Sequence, residues 1–172
     1  MRHRVRLRLL ALLVACVCAQ AAAPPAAPAP DSYLARLAGH WDFTGTLLGK
    51  PVRYHGEGRW VLANGWLRLT LLDAASPPAY RADVYLGSDP KAGDYVAHWM
   101  DQFGGAGARV VASGRRDADK LVLIFPYAEG PFRDTFVLAG DGSGGTLLIE
   151  SQEKDGHWST FASYTLKRPA KE

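Results

Sequence analysis

His98, Trp99 and Asp101 form the segment of this sequence best equipped to do chemistry. They lie in the run 95–103, whose composition predicts a β-strand, and side chains alternate between the two faces of a strand. Trp99 and Asp101 therefore share a face, while His98 points the other way and cannot act with Asp101 as a catalytic pair. We expect Trp99 and Asp101 to line a cavity, with the carboxylate accepting a ligand hydroxyl or amine. The alternative is that Asp101 pairs with a basic side chain such as Arg115.

The remaining polar residues form no recognised catalytic or metal-binding motif. No serine stands in a Gly-x-Ser-x-Gly elbow, and the glycine-rich stretch 140–145 lacks the Lys-Ser/Thr ending of a phosphate-binding loop. The histidines after the N-terminal region show no metal-ligand spacing within an element. We therefore predict no metal, no cofactor and no enzymatic activity. These histidines are His40, His55, His98 and His157.

Ten strand-like runs, separated by short turns, must position these residues. From Trp41 onward no helical periodicity persists, whereas aromatic and β-branched residues recur between turn signals such as Asn64-Gly65. The predicted strands are 41–48, 52–62, 66–72, 80–86, 95–103, 109–115, 121–127, 132–138, 146–153 and 158–166.

This pattern predicts an all-β fold, a single ten-stranded up-and-down antiparallel β-barrel with a short N-terminal helix. Closing the sheet removes both of its hydrogen-bonding edges, and no connection is long enough to hold a crossover helix. Asp31 and Ser32 can cap the helix, at 33–38, and Gly39 ends it.

The second strand does not reveal which of its faces looks inward. An apolar inward face is usual, but ligand-binding barrels often turn polar residues toward a wet cavity. One face of this strand carries Val52, Tyr54, Gly56, Gly58, Trp60 and Leu62, and the opposite face carries Arg53, His55, Glu57, Arg59 and Val61.

The N-terminal segment has the features of a secretory signal peptide. Arg2, Arg4, Arg6 and Arg8 form a basic region at the start of the chain, and the apolar run at 7–19 is too short to span a bilayer comfortably. Ala-Gln-Ala at 19–21 offers a cleavage site. The sequence Leu-Val-Ala-Cys ending at Cys16 resembles a bacterial lipobox. Cys16 is therefore a candidate lipidation site, and lipidation is the one predicted route to a membrane. The predicted segments are a signal peptide at 1–21, an Ala/Pro-rich tether at 22–31 and a barrel domain at 32–168.

Charge excludes nucleic acid as an expected partner. The first 30 residues contain four of the 20 basic residues and none of the 17 acidic ones, so the rest of the chain carries a formal charge of −1. No basic patch remains to attract a polyanion. No cysteine follows residue 18, so the domain must be stable without disulfides.

Three short motifs resemble those of the calycins, and more narrowly those of a secreted, lipocalin-like bacterial family known as domain of unknown function 1579. They are Leu-Ala-Gly-His-Trp at 37–41, Tyr-Val-Ala-His-Trp-Met-Asp at 95–101 and Tyr-Thr-Leu-Lys-Arg at 164–168. The resemblance covers roughly residues 33–168. It implies that Gly39 and Trp41 begin the barrel and that Trp41 packs against Arg168, or Lys167 in another register, to close one end.

The resemblance also carries expectations about ligands. Lipid-binding barrels of this group often hold a ligand carboxylate with buried arginines, which implies roles for Arg115 and Arg133, and less strongly for Arg109. The alternative is that these arginines are solvated on the outer face. A more distant likeness is to the haem-binding nitrobindins, but Phe43 replaces a motif glycine, and the last strand has no histidine where the haem ligand would lie.

We therefore expect an exported barrel that binds a small, mostly apolar ligand. The alternative is an envelope scaffold or interaction protein whose barrel is filled by its own side chains.

Overall fold

The computed structural model describes residues 27–89 and 91–170, and it is a closed antiparallel barrel of ten strands. Each strand pairs with its neighbours in sequence, and the first strand pairs with the last from Asp42↔Lys167 to Leu47↔Ala162. The predicted fold class is confirmed. The strands are β1 Gly39–Leu47, β2 Lys50–Val61, β3 Trp66–Asp73, β4 Arg81–Asp89, β5 Asp94–Asp101, β6 Val111–Asp117, β7 Lys120–Phe125, β8 Phe132–Leu138, β9 Gly144–Gln152 and β10 Trp158–Lys167.

Two short 3₁₀ helices accompany the strands, at Leu34–Leu37 and Gly107–Arg109. The first was expected at 33–38, and the carboxylate of Asp31 accepts hydrogen bonds from the backbone N–H groups of Tyr33 (3.0 Å) and Leu34 (2.9 Å). The second replaces the predicted start of the sixth strand. Within the described residues no helix is long and apolar enough to cross a membrane. Cys16 and the predicted signal peptide lie outside the described residues.

The face of β2 that carries Tyr54, Gly56 and Gly58 looks inward. A Cβ on Gly56 would lie 2.4 Å from a ring carbon of Phe43, and one on Gly58 would lie 2.0 Å from the carbonyl oxygen of Leu37. The two glycines therefore leave space for a core aromatic ring and for the first 3₁₀ helix to press directly against the backbone of β2.

The first 3₁₀ helix closes one end of the barrel together with Trp41. The side chains of Leu34, Leu37 and Trp41 are fully buried, and the indole Nε1 of Trp41 donates to the carbonyl of Leu37 at 2.9 Å. Tyr33 is also buried, and its hydroxyl donates to the carbonyl of Phe136 on β8 at 3.1 Å.

Arg168 holds this closed end in place, as the resemblance implied. Its guanidinium carbon lies 3.6 Å from the centroid of the Trp41 ring. The same group donates to the carbonyls of Ala38 (2.7 Å), Gly142 (2.9 Å) and Arg36 (2.9 Å). One side chain therefore satisfies carbonyls from two separate segments, the end of the first 3₁₀ helix and the turn at Gly142, while it stacks on the indole.

We predict that Arg168→Ala lowers the free energy of unfolding by about 1–3 kcal/mol, because the cation–π contact and several hydrogen bonds are lost. Arg168→Lys keeps the charge but not the planar donor geometry, so it should recover less than half of the loss. Urea unfolding followed by tryptophan fluorescence measures both values. Arg115→Ala is the matched control and should leave the midpoint unchanged, since that arginine is exposed. Equal midpoints for all variants would show that Arg168 does not brace the barrel.

Candidate ligand-binding cavity

The end of the barrel opposite the first 3₁₀ helix contains a cavity of about 910 Å³. Its walls come from the last residues of β1, β3, β5, β7 and β9 and the first residues of β2, β8 and β10, because antiparallel strands bring alternate ends to one rim. The interior is therefore not filled by side chains. One end is closed, and the other admits solvent past the exposed ring of Phe103.

Nine aromatic side chains line the cavity and form connected clusters. On one side the ring centroid of Tyr54 lies 5.7 Å from that of Tyr80 and 5.8 Å from that of Tyr164. On the other side the centroids of Phe132 and Phe161 lie 5.1 Å apart, edge to face. Aromatic walls of this kind bury a large apolar area and have few flexible side chains to order on binding.

Trp99 and Asp101 both line the cavity, on the same face of β5, as the alternation indicated. The indole Nε1 of Trp99 donates to the hydroxyl of Tyr80 at 3.0 Å, and that hydroxyl lies 3.5 Å from Asp101 Oδ2. The other oxygen of Asp101 accepts the backbone N–H of Phe103 at 3.0 Å. Burial raises the pKa of Tyr80, and the nearby Asp101 raises it further, so the phenol stays protonated.

The structure separates Arg115 from this site, which corrects one predicted ligand contact. Asp94 and Arg115 are cross-strand partners on β5 and β6, and Arg115 Nε donates to Asp94 Oδ1 at 2.9 Å. The Arg115 side chain is 79% exposed on the outer face. Asp101 therefore does not pair with it.

Arg133 requires the same correction. It faces outward on β8, where its Nε and Nη2 each lie 2.8 Å from Glu150 Oε2 and its guanidinium covers the ring of Trp158 at 4.3 Å. Arg109 is exposed at the end of the second 3₁₀ helix. All three arginines therefore match the alternative expectation, in which they are solvated on the outer face. No lysine, arginine or histidine of the described chain lines the cavity.

Asp134 is the residue that sequence reasoning missed. It lies on the inward face of β8, is only 3% exposed, and lines the cavity. Its neighbours on the adjacent strands are the apolar Leu123 and Ile149. No side chain in the described part of the chain forms a hydrogen bond or an ion pair with its carboxyl group, and burial alone raises its pKa from 3.8 to about 8. The sequence feature that could have identified Asp134 is the alternation of β8, in which Asp134 shares a face with Phe132 and Phe136.

Two tyrosines that line the cavity have pKa values influenced by the charge of the same carboxyl group. Burial raises the pKa of Tyr127, and the negative charges of Asp134 and Asp101 raise it further. Burial also raises the pKa of Tyr164, with a smaller contribution from Asp134. Both phenols therefore remain neutral hydrogen-bonding groups around Asp134 at physiological pH.

The histidines lie away from the cavity. His98 Nε2 lies 2.5 Å from the carbonyl of Ala108, and exposed histidines such as His55 and His157 pair with Asp42 and Asp155. Among the described residues no three His, Cys, Asp or Glu side chains meet in a way that would hold a metal ion.

Comparisons with known proteins support the fold. No protein-family model and no curated protein matches the chain. The chain is similar to the crystal structure of Rv2717c from M. tuberculosis, with a TM-score of 0.54 and 15% identity. The alignment covers 80% of this chain and 95% of that chain. At this identity the likeness shows a shared fold alone.

We predict that Asp134 makes the wild-type protein less stable as pH rises from about 4 to about 8. In this window the folded state keeps a proton that the unfolded chain has released, so the free energy of unfolding falls by up to about 1.4 kcal/mol per pH unit. Asp134→Asn removes this contribution. The free energy of unfolding of the variant minus that of wild type should therefore increase from about pH 4 to about pH 8.

Urea unfolding at several pH values measures this difference. Asp94→Asn is the matched control, since the carboxylate of Asp94 is half exposed and paired with Arg115, and it should keep the wild-type slope. Parallel curves for wild type and Asp134→Asn would contradict an elevated pKa for Asp134.

Proposed function

We propose that this chain is an exported lipocalin-like protein that binds a small, mostly apolar molecule inside its barrel. The observation that carries the proposal is the cavity of about 910 Å³ at one end of a barrel whose other end is plugged. Ligand pockets in proteins commonly occupy roughly 300–1,000 Å³ and are lined mainly by apolar and aromatic groups with a few polar ones. The lining has this composition, with nine aromatic rings and a small set of carboxyl groups.

The alternative of a filled envelope scaffold depends on a barrel occupied by its own side chains. The cavity counts against a filled barrel and so favours the binding proposal. Membership of the lipocalin-like family named above is part of the proposal, and it is supported by the three sequence motifs and by the contact of Arg168 with Trp41.

We expect the uncharged fluorophore N-phenyl-1-naphthylamine to bind with a rise in its emission, because the cavity transfers it from water to an aromatic environment. Ser151→Trp places a large ring where a small residue lines the cavity, and it should weaken binding at least about tenfold, since the space is filled. Fluorescence titration measures the affinity.

Thr165→Trp is the matched control, since this residue is exposed on the outer face of β10, and it should bind as wild type does. An unchanged affinity in Ser151→Trp would place the fluorophore outside the cavity, and no binding to wild type would remove the proposed function. Native mass spectrometry of protein purified from its own host would identify a carried molecule.

Export is the second part of the proposal. We predict that the full chain expressed in a bacterium yields a mature protein beginning at Ala22, because Ala19 and Ala21 provide small residues at the cleavage site. Intact mass measurement distinguishes this product from one beginning at a lipid-modified Cys16. Cys16→Ser should leave the first product unchanged and abolish the second. Retention of the uncleaved chain in the cytoplasm would contradict export.

A further inference from the structure

The charges around the cavity all have one sign. Five carboxyl side chains line it, and no described lysine, arginine or histidine does. They are Asp73, Asp101, Glu129, Asp134 and Glu153. A cavity lined by one sign of charge and walled by apolar groups attracts ligands of the opposite charge.

These carboxyl groups differ in what they already bind. Asp73 accepts the backbone N–H groups of Ala75 (3.1 Å) and Ala79 (3.0 Å), so it orders the loop before β4. Asp101 accepts the N–H of Phe103 and lies beside Tyr80. Glu129 and Glu153 are exposed at the mouth, where water solvates them. None of these four is both buried and unpartnered.

Of these carboxyl groups, Asp134 alone is buried inside the cavity with no hydrogen-bond or ion-pair partner among the described residues. A buried polar group that lacks a partner costs stability, and a buried charge costs more. A ligand group that donates hydrogen bonds and carries a positive charge would satisfy this carboxyl, whereas a ligand carboxylate would be repelled by the other acidic side chains of the cavity, such as Asp101.

We propose that the cavity selects an organic cation, an apolar molecule bearing a primary or secondary ammonium group that pairs with the carboxylate of Asp134. This inference rests on the proposed function, since it names the ligand class of the same cavity. Aromatic rings that line the same cavity, including those of Tyr127 and Tyr164, provide cation–π partners for the same group. The cavity thus disfavours the ligand carboxylate that buried arginines would have held.

Binding of an ammonium ion changes the protonation state of Asp134, which depends on the groups around it. Leu123 and Ile149 flank it on the adjacent strands, and the titratable groups that face it are Tyr127, Tyr164 and, more distantly, Asp101. At neutral pH the free protein holds a proton on Asp134, because burial raises its pKa to about 8. Pairing with an ammonium ion releases that proton to solvent, so affinity for the cation should rise as pH approaches 8.

Three ligands with the same alkyl chain test the inference: decylamine, decanol and decanoate, each displacing N-phenyl-1-naphthylamine. We expect decylamine to bind wild type at least about tenfold more tightly than decanol, since the ion pair forms in a desolvated site. Decanoate should be the weakest of the three. The advantage of decylamine over decanol should increase between pH 6 and pH 8, because protons compete less with the cation for Asp134 as the pH approaches its pKa of about 8.

Two variants test whether Asp134 is responsible for the preference for decylamine over decanol. Asp134→Asn should lose the preference for decylamine over decanol, both measured on that variant, whereas Asp94→Asn, a carboxyl removed from outside the cavity, should keep that preference. Should one of the variants fail to fold, the three ligands still test the preference for a cation on the wild-type protein. If the fluorophore binds but all three competitors displace it equally, the cation inference is overturned and the proposed function remains. A preference that survives in Asp134→Asn would overturn the assignment to Asp134, and failure of every ligand to bind wild type would overturn both.

Discussion

The pairing of β1 with β10 is the interaction on which the rest of this protein depends. Its register, from Asp42↔Lys167 to Leu47↔Ala162, turns an open meander into a closed barrel and assigns one face of every strand to the interior. An unclosed sheet of ten strands would leave two edges of unpaired N–H and C=O groups. Closure also places Arg168, just beyond β10, over Trp41, so the two ends of the domain brace one another.

The two ends of the barrel differ because only one of them has a plug. The buried leucines of the first 3₁₀ helix and the indole of Trp41 fill one end, and the missing Cβ atom of Gly58 lets the helix backbone approach β2 directly. At the other end, aromatic and carboxyl side chains surround the cavity. The result is a barrel that is closed at one end and has a cavity at the other.

Carboxyl side chains line the cavity, where a ligand would contact them. Apolar side chains cover most of the inward faces, and burying a carboxyl among them weakens the fold unless another group satisfies it. Asp134 is such a group, and it lies in the cavity rather than in the sealed half of the barrel. Buried titratable groups in clefts often mark functional sites, because the same desolvation that costs stability strengthens a pairing with a ligand.

Local sequence determined much of this architecture. Turn residues and strand-forming runs specified ten strands, and alternation on β5 put Trp99 and Asp101 on one face. What alternation cannot specify is which face turns inward, since a strand has two faces and only closure chooses between them. For that reason Arg133 was expected in the site and Asp134 was not, although the two are adjacent. The pairing of Arg115 with Asp94, and the hydrogen bond between Trp99 and Tyr80, likewise depend on strand register. Tertiary structure decided the site because these contacts join residues distant in sequence.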